Sequence, residues 1–229
     1  MEVQNMATKT LDQKVIDLEK TVKSCMHEIE RLQAVNDIEN LMSKYEYFHM
    51  TCRNPDVIKL YAKKSPDVRV MIKEMGTWEG KDAPDRAWGI DPGADEGYVG
   101  AMGIHPTTTP MIVVAGDGKT AKGVWIGTGF VASADPKTKK PSCTWEWDRY
   151  GVDFIKEDGK WKFWHFHIYS LFSSGWDAPW ADQFKKKMGE MHIPDEFKPD
   201  KPPIDSYPYR PDTVVQLIPV PPEPYESYD

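Results

Sequence analysis

The stretch that decides the fold, residues 152–169, reads VDFIKEDGKWKFWHFHIY. Asp158 and Gly159 separate two strand-like runs, and this pair favours a two-residue hairpin because both central positions of the mirror-image turn need positive φ. Side chains alternate between the two faces of a strand, so the second strand has one apolar face and one face that mixes rings with proton carriers. The apolar face carries Trp164, Phe166 and Ile168, and the mixed face carries Phe163, His165, His167 and Tyr169. We expect the mixed face to line a semi-apolar cavity.

The bulk composition limits the class of protein. A chain of 229 residues with a formal net charge of −7 suits one domain with additions, and the acidic balance argues against binding to phosphate backbones. No window approaches the roughly 18 apolar residues of a membrane span, and the first residues lack an apolar signal core. The three cysteines are scattered, which gives neither a disulfide framework nor zinc-site spacing. We expect a cytoplasmic protein that binds neither nucleic acid nor a membrane.

The N-terminal region shows a coiled-coil pattern. Apolar residues recur at alternating steps of four and three, and Thr10 with Gln13 can form a capping box at the start. Asn36 would occupy the next a position, and Asn36 with Glu39 is typical of a fresh cap before a second helix. The helix either packs on its own domain or serves as an oligomerisation arm, and its narrow seam favours the arm. The seam consists of Leu11, Val15, Leu18, Val22, Cys25, Ile29 and Leu32.

The remaining pattern is that of an α+β protein with its helices gathered at the N-terminal end. The second helix places Tyr45 and His49 one turn apart on the same face. Strands are predicted over residues 67–75, 111–115, 120–130 and 143–155, ahead of the opening hairpin. We interpret residues 81–104 as a loop with a weak helix.

The C-terminal segment is dense in proline, which excludes a regular helix or a central strand. It is either disordered or wraps a neighbouring subunit, and the apolar residues of 214–220 favour wrapping. We therefore divide the chain into an N-terminal heptad helix (1–35), a catalytic domain (36–185) and a proline-rich extension (186–229).

The order of several short motifs resembles the SnoaL-like branch of the nuclear-transport-factor-2-like (NTF2-like) superfamily. After the helices come GTWEG at 76–80, HPTTTP at 105–110, KGVW at 122–125 and DGKW at 158–161. The resemblance implies a cone-shaped α+β barrel in which a curved antiparallel sheet wraps helices around one deep pocket. Relatives include cyclases, dehydratases, isomerases, a formaldehyde-releasing lyase and non-catalytic proteins, so the fold does not settle the reaction.

The resemblance also implies positions for catalytic residues. A bile-acid dehydratase of the family pairs a helix Tyr with an Asp five residues later. Tyr45 matches that Tyr, Met50 stands in place of the Asp, and His49 lies beside the missing carboxylate. His105 matches a frequent pocket His of the family. A neutral imidazole can accept a proton and return it, because it titrates near pH 6.5.

The closing strand adds a fourth catalytic candidate, His167, with His165 as support. Glu146 and Asp148 share one face of their strand, where they either orient a pocket His or form a solvated sheet face. The predicted substrate-binding residues are Trp78, Trp88, Trp125, Arg149, His165 and Tyr169.

We therefore expect a cofactor-independent lyase or dehydratase acting on a small aromatic or polycyclic substrate. The leaving group would be water or, for a diaryl propanoid derived from lignin, formaldehyde; cyclase or isomerase chemistry can use the same residues. One alternative is a metal-dependent enzyme, because the His165-x-His167 pair with His105 and His49 could hold a metal ion. Another is a non-catalytic binding or assembly protein. The seam predicts a homo-oligomer, either a dimer or a trimer.

Overall fold

The computed structural model describes residues 9–89, 98–135, 137–185, 193–204 and 207–228, with residues 183–185 described in their backbone alone. The helices are α1 (Leu11–Met50), α2 (Asn54–Ile58) and α3 (Ala83–Gly89). The strands are β1 (Arg69–Ile72), β2 (Gly76–Glu79), β3 (Met102–Ile104), β4 (Thr107–Val114), β5 (Thr120–Ala134), β6 (Pro141–Glu157) and β7 (Lys160–Gly175). Short 3₁₀ helices cover Lys73–Met75, Trp180–Lys185 and Asp195–Phe197. Among the described residues, no helix combines the length and the apolar content that crossing a membrane requires.

The strands form one sheet with the order β2-β1-β7-β6-β5-β3, and β4 also pairs with β5. Strand β1 runs parallel to β7, whereas the other pairs are antiparallel. The predicted α+β fold is confirmed, and the sheet is mixed and open where an antiparallel barrel was expected. The parallel pair arises because the chain crosses from β1 to β7 through the other strands.

The inner face of the sheet packs against the second half of α1. Ile38, Met42 and Tyr45 of the helix are almost fully buried there, and they belong to the same core as Trp125 and Phe166. We call the opposite side the outer face.

Helix α1 runs through Asn36 without a break, so the predicted second cap is wrong. Ala34 and Ile38 flank this position, and both are buried against the domain, so tertiary packing maintains the helix where the local signal favours a stop. The predicted cap at the start is present, since Thr10 Oγ1 accepts a hydrogen bond from the Gln13 backbone N–H (3.3 Å). The helix crosses the proposed boundary between residues 35 and 36, and the domain division stays a prediction.

The opening hairpin forms as predicted, but its second strand contains a bulge. Asp158 and Gly159 have φ values of 50° and 73°. The β6–β7 register shifts at Trp164, because Phe154 pairs with Phe163 while Asp153 pairs with His165. A bulge adds one residue to one strand and so moves the following side chains to the other face. Phe163 therefore does not share a face with His165 and His167, and the prediction that it does is wrong.

Two further boundaries differ from the sequence prediction. The predicted strand over 67–75 ends at Ile72, and the motif at Gly76–Glu79 is a strand that pairs back on β1. In the region 81–104 the predicted weak helix is α3, whereas β3 is a strand where a loop is predicted, and residues 90–97 lie outside the described residues.

The described parts of the C-terminal extension follow the outer face of the chain's own sheet. The backbone N–H of Gly116 donates to the Tyr225 carbonyl (2.8 Å), and the N–H of Tyr209 donates to the Leu171 carbonyl (2.8 Å). The Arg149 guanidinium donates to the Gln216 carbonyl (2.7 Å). Residues 186–192 and 205–206 of this extension lie outside the described residues.

Candidate active site

Two aromatic side chains near the C-terminal end of α1 begin the site. Tyr45 and His49 lie one helical turn apart, and their rings stack with centroids 5.4 Å apart and an interplanar angle of 9°. The predicted shared face is therefore confirmed. Trp88 of α3 contacts both rings, with centroids 5.8 Å from Tyr45 and 5.5 Å from His49.

His105, between β3 and β4, meets this pair from the sheet side. Its ring centroid lies 5.1 Å from that of His49, and the residue is 7% exposed. Its backbone N–H donates to Glu46 Oε1 (2.5 Å), so α1 fixes the position of the loop that carries it. His105 Nε2 lies 2.8 Å from Glu146 Oε1. Three sequence-predicted residues, Tyr45, His49 and His105, are thus brought together.

Glu146 and Asp148 alternate onto the inner face of β6, and both are buried. Of the two interpretations of this pair, the solvated sheet face is excluded by their exposures of 7% and 0%. Glu146 has the other role, because it binds the ring of His105.

Gly129 of β5 provides the space in which His105 and Glu146 meet. It pairs directly with Glu146 across the sheet. A Cβ atom at this position would lie 2.4 Å from Glu146 Cγ and 2.7 Å from His105 Cδ2, which is closer than non-bonded carbon atoms approach one another in proteins. The imidazole and the carboxylate therefore meet because this position has no side chain.

Lys73 belongs to the same candidate site, and it was not named from the sequence. Its ammonium forms ion pairs with Glu146 Oε1 and, at 2.8 Å, with Asp148 Oδ2. The residue follows β1 directly and has a φ of 44°, which is uncommon for a side chain other than Gly, Asn or Asp. Such a conformation persists only where its surroundings impose it, and here both carboxylates hold the side chain inward. The sequence carried one signal, a lysine that ends an apolar strand.

Burial and the shared ammonium set the charges of this cluster. Burial by itself would raise the pKa of Glu146, but the hydrogen bond from His105 and the charge of Lys73 outweigh it and lower the pKa to about 2. Burial raises the pKa of Asp148 to about 6. The two carboxylates outweigh the effect of burial on Lys73 and raise its pKa. Glu146 is therefore the ionised partner of both Lys73 and His105 at neutral pH.

The ionised Glu146 decides which nitrogen of His105 carries the proton. A carboxylate only accepts hydrogen bonds, so Nε2 must donate. In the neutral ring, Nδ1 then has the free lone pair, and it has no hydrogen-bond partner among the described residues. This is the arrangement of a general base whose tautomer is fixed by a carboxylate.

His49 and Tyr45 stay uncharged beside this base. Burial, with a smaller contribution from His105, lowers the pKa of His49 to about 3. Burial holds the pKa of Tyr45 well above its ordinary value. Both side chains can therefore form hydrogen bonds to an oxygen of a bound molecule without gaining or losing a proton.

The predicted multi-histidine metal site is not assembled, because His165 and His167 lie on the outer face. A different set does converge, since ligand atoms of His105, Glu146 and Asp148 lie within 4.8 Å of one another. The ammonium of Lys73 already forms ion pairs with both of these carboxylates. A metal ion would have to displace this cation, so the donor set fits a metal poorly.

The prediction that His167 shares a pocket with Tyr45 is wrong. His167 pairs with Gly151, and both point to the outer face, where a cavity of about 480 Å³ separates the sheet from Pro219–Tyr225. His165 and Tyr169 lie on the same side, as does Arg149, whose guanidinium binds the C-terminal extension. The bulge at Trp164 explains this placement, because it directs Phe163 and Phe166 together toward the core.

The three predicted tryptophans differ in their surroundings. Trp88 contacts His49 and Tyr45, and its indole N–H donates to the Tyr61 hydroxyl (3.1 Å). Trp78 is fully buried and donates to the Phe197 carbonyl (2.8 Å). Trp125 packs edge-on against Phe154 in the core. All three belong to the buried core, and Trp88 is the one among them that contacts the candidate site, through the rings of Tyr45 and His49.

Solved structures with the same fold include enzymes that catalyse elimination. A candidate scytalone dehydratase from Novosphingobium aromaticivorans is 16% identical with a TM-score of 0.53, over 67% of this chain and 94% of that one. A hexachlorocyclohexane dehydrochlorinase (LinA-type3) from Novosphingobium barchaimii is 14% identical with a TM-score of 0.50, over 66% and 96%. A candidate dehydratase of the NTF2-like family from Streptomyces avermitilis is 11% identical with a TM-score of 0.50, over 58% and 94%. At these identities the likeness shows the fold.

A search of curated proteins finds no match to this chain. The family model of the SnoaL-like domain matches residues 30–167, which begins in the middle of α1 and ends on β7. This span contains Tyr45, His49, Lys73, His105 and Glu146. The chain belongs to the SnoaL-like domain family.

Proposed function

We propose that this protein is a cofactor-independent lyase of the dehydratase type, with His105 as its general base. The observation that carries the proposal is the polarised imidazole of His105. One ring nitrogen is bound to an ionised, buried carboxylate, while the other is unpartnered among the described residues. The substrate would be a small aromatic or polycyclic molecule, and the leaving group would be water or formaldehyde.

The reaction would begin with removal of a proton from carbon or from a hydroxyl group by Nδ1 of His105. The imidazolium that forms is stabilised by Glu146, whose charge is maintained by Lys73. As the bond to the leaving group breaks, the imidazolium returns the proton to the departing oxygen or to the product. Tyr45 and His49 would hold a substrate oxygen by hydrogen bonds.

Trp88 supports an aromatic substrate, since its ring lies beside both His49 and Tyr45 and offers a flat apolar wall. The related structures include a candidate dehydratase and a dehydrochlorinase, and both names denote elimination reactions. Cyclisation and isomerisation begin with the same proton transfer, so the products distinguish these reactions.

The test compares two histidines of the same chain. Hydroxylated aromatic compounds, diaryl propanoids among them, are incubated with the protein, and mass spectrometry detects the loss of water or formaldehyde. We expect His105→Ala to lower turnover by about 10²–10⁴-fold, whereas His167→Ala, on the outer face, keeps turnover within a few-fold. Full turnover by His105→Ala would overturn the mechanism. Tight binding with no product from any compound would favour a non-catalytic binding protein.

A further inference from the structure

The first half of α1 exposes a continuous apolar seam. With Leu11 at position d of a heptad, every third or fourth residue up to Leu32 is apolar or cysteine. The apolar members have exposed fractions from 47% at Val15 to 76% at Leu11, and Cys25 is exposed and free. Isolated apolar residues are normal on a surface, but an exposed seam of seven residues at coiled-coil spacing is not.

The opposite side of the same helix packs against the chain's own domain. His27 Nε2 lies 2.6 Å from the Gly116 carbonyl, and Arg31 donates to the Val114 carbonyl (3.1 Å). Ala34 and Ile38 continue this contact and are buried. These residues occupy c and f positions, which lie opposite a and d. The seam therefore points away from the domain and cannot turn toward it without breaking these contacts.

We propose that residues 11–36 form a parallel, two-stranded coiled coil with a second copy of this chain. The composition of the seam favours two strands, because β-branched residues at a with leucine at d select dimers. Here the a positions are Val15, Val22 and Ile29, and the d positions are Leu11, Leu18, Cys25 and Leu32.

Asn36 supports the parallel arrangement. It occupies the next a position, it is exposed, and it borders a surface cavity together with Ile29 and Leu32. In a parallel pair in register, Asn36 faces Asn36 of the second copy, and the two amides can hydrogen-bond. In an antiparallel pair spanning the same seam, it would face Leu11 and bury its amide without a partner.

Charge complementarity gives the same orientation. Lys14 occupies a g position and Glu19 the e position of the next heptad, and a parallel pair brings these two positions together across the interface. Among the described residues neither side chain forms an ion pair within the chain, so both are available to a second copy. The continuous helix also removes the cost of nucleation, because the domain already holds its C-terminal half.

The test measures the mass of the full chain in solution by light scattering after size-exclusion chromatography. We expect a dimer for the native chain and a monomer for Leu18→Glu with an unchanged melting temperature of the domain. The matched control is Ile16→Glu, which adds the same charge two residues away at an exposed position outside the seam and should stay dimeric. A native monomer or trimer would overturn the proposal, as would loss of the dimer in both variants.

Cys25 tests the register independently. In the Cys52→Ser, Cys143→Ser background, Cys25 is the remaining thiol, and in a parallel pair it faces its counterpart across a d position. We expect mild oxidation to produce a disulfide-linked dimer on a non-reducing gel, and Leu18→Glu to abolish it. Failure of the dimer to cross-link would exclude the parallel register.

Discussion

The two faces of the sheet each carry a histidine bound to a carboxylate at the same distance. On the inner face His105 Nε2 lies 2.8 Å from Glu146, and on the outer face His165 Nδ1 lies 2.8 Å from Asp153. The second nitrogen distinguishes them. In His165 it lies 2.9 Å from the Asp67 carbonyl oxygen, whereas in His105 it is unpartnered among the described residues.

This difference separates a structural histidine from a candidate base. Both nitrogens of His165 are engaged by groups of the protein itself, so neither is left for a bound molecule. The Tyr228 hydroxyl also donates to Asp153 (2.7 Å), which ties the C-terminal extension to the same pair. A histidine–carboxylate contact therefore indicates acid–base chemistry only when the other nitrogen is left free.

The largest effect on stability is expected from the cation of the inner face. Lys73→Met would leave Glu146 and Asp148 buried without their shared ammonium, and removing one partner of a buried ion pair costs about 3–5 kcal/mol. Urea denaturation measures the change in the free energy of unfolding. The matched control is Lys122→Met on the outer face, where the ammonium lies 4.7 Å from the Tyr228 ring and a loss of about 0.5–1 kcal/mol is expected. Equal losses of free energy would show that the buried ion pairs of Lys73 stabilise the protein no more than the cation–ring contact of Lys122 does.

A smaller effect is expected from the pH dependence that His49 gives to the inner face. Its pKa is about 3 in the folded protein and near 6.5 when unfolded, so the unfolded state binds the proton more tightly. The contribution of His49 to the free energy of unfolding is therefore complete above pH 6.5. It is lost as the pH falls toward 3, by about 1.4 kcal/mol for each pH unit. His49→Phe keeps a ring against Tyr45 but removes this titration. We expect the variant to lose less stability than the native chain between pH 7.5 and pH 5, and parallel curves would contradict the assignment.

The smallest effect on stability is expected at the His165–Asp153 pair of the outer face. Tyr228→Phe removes the hydrogen bond to Asp153 at a partly exposed position, with an expected cost of about 1 kcal/mol. Hydrogen exchange should show faster exchange at Gly116 and Asp117, whose backbone N–H groups donate to this extension. Turnover should not change, because the contact lies across the sheet from His105. A loss of turnover would couple the two faces.

Local patterns predicted much of this fold. The hairpin at Asp158–Gly159 follows from turn chemistry, and the Tyr45–His49 pair follows from helical spacing. The bulge at Trp164 could not be predicted, because it depends on how β6 and β7 come into register. That one residue decided the error in placing His167.

The candidate site was predicted only in part, again because contacts between distant parts of the chain decide the rest. Tyr45, His49 and His105 were named from the sequence, yet the cation that pairs with the two carboxylates beside them was not. Lys73 is held inward by two carboxylates that are 73 and 75 positions away along the chain, and no local pattern reports such a contact. The continuous α1 was missed because packing of Ala34 and Ile38 overrides a local cap signal.

Gly129 shows that a residue can be necessary for the geometry of a candidate site while contributing no reactive group to it. Gly129 acts by having no side chain, because the ring of His105 and the side chain of Glu146 occupy the space that a Cβ atom would need. A search for functional residues that ranks side chains by their chemistry would overlook this position. In this protein the contact between His105 and Glu146 depends as much on the missing methyl group of one strand as on the imidazole that a loop supplies.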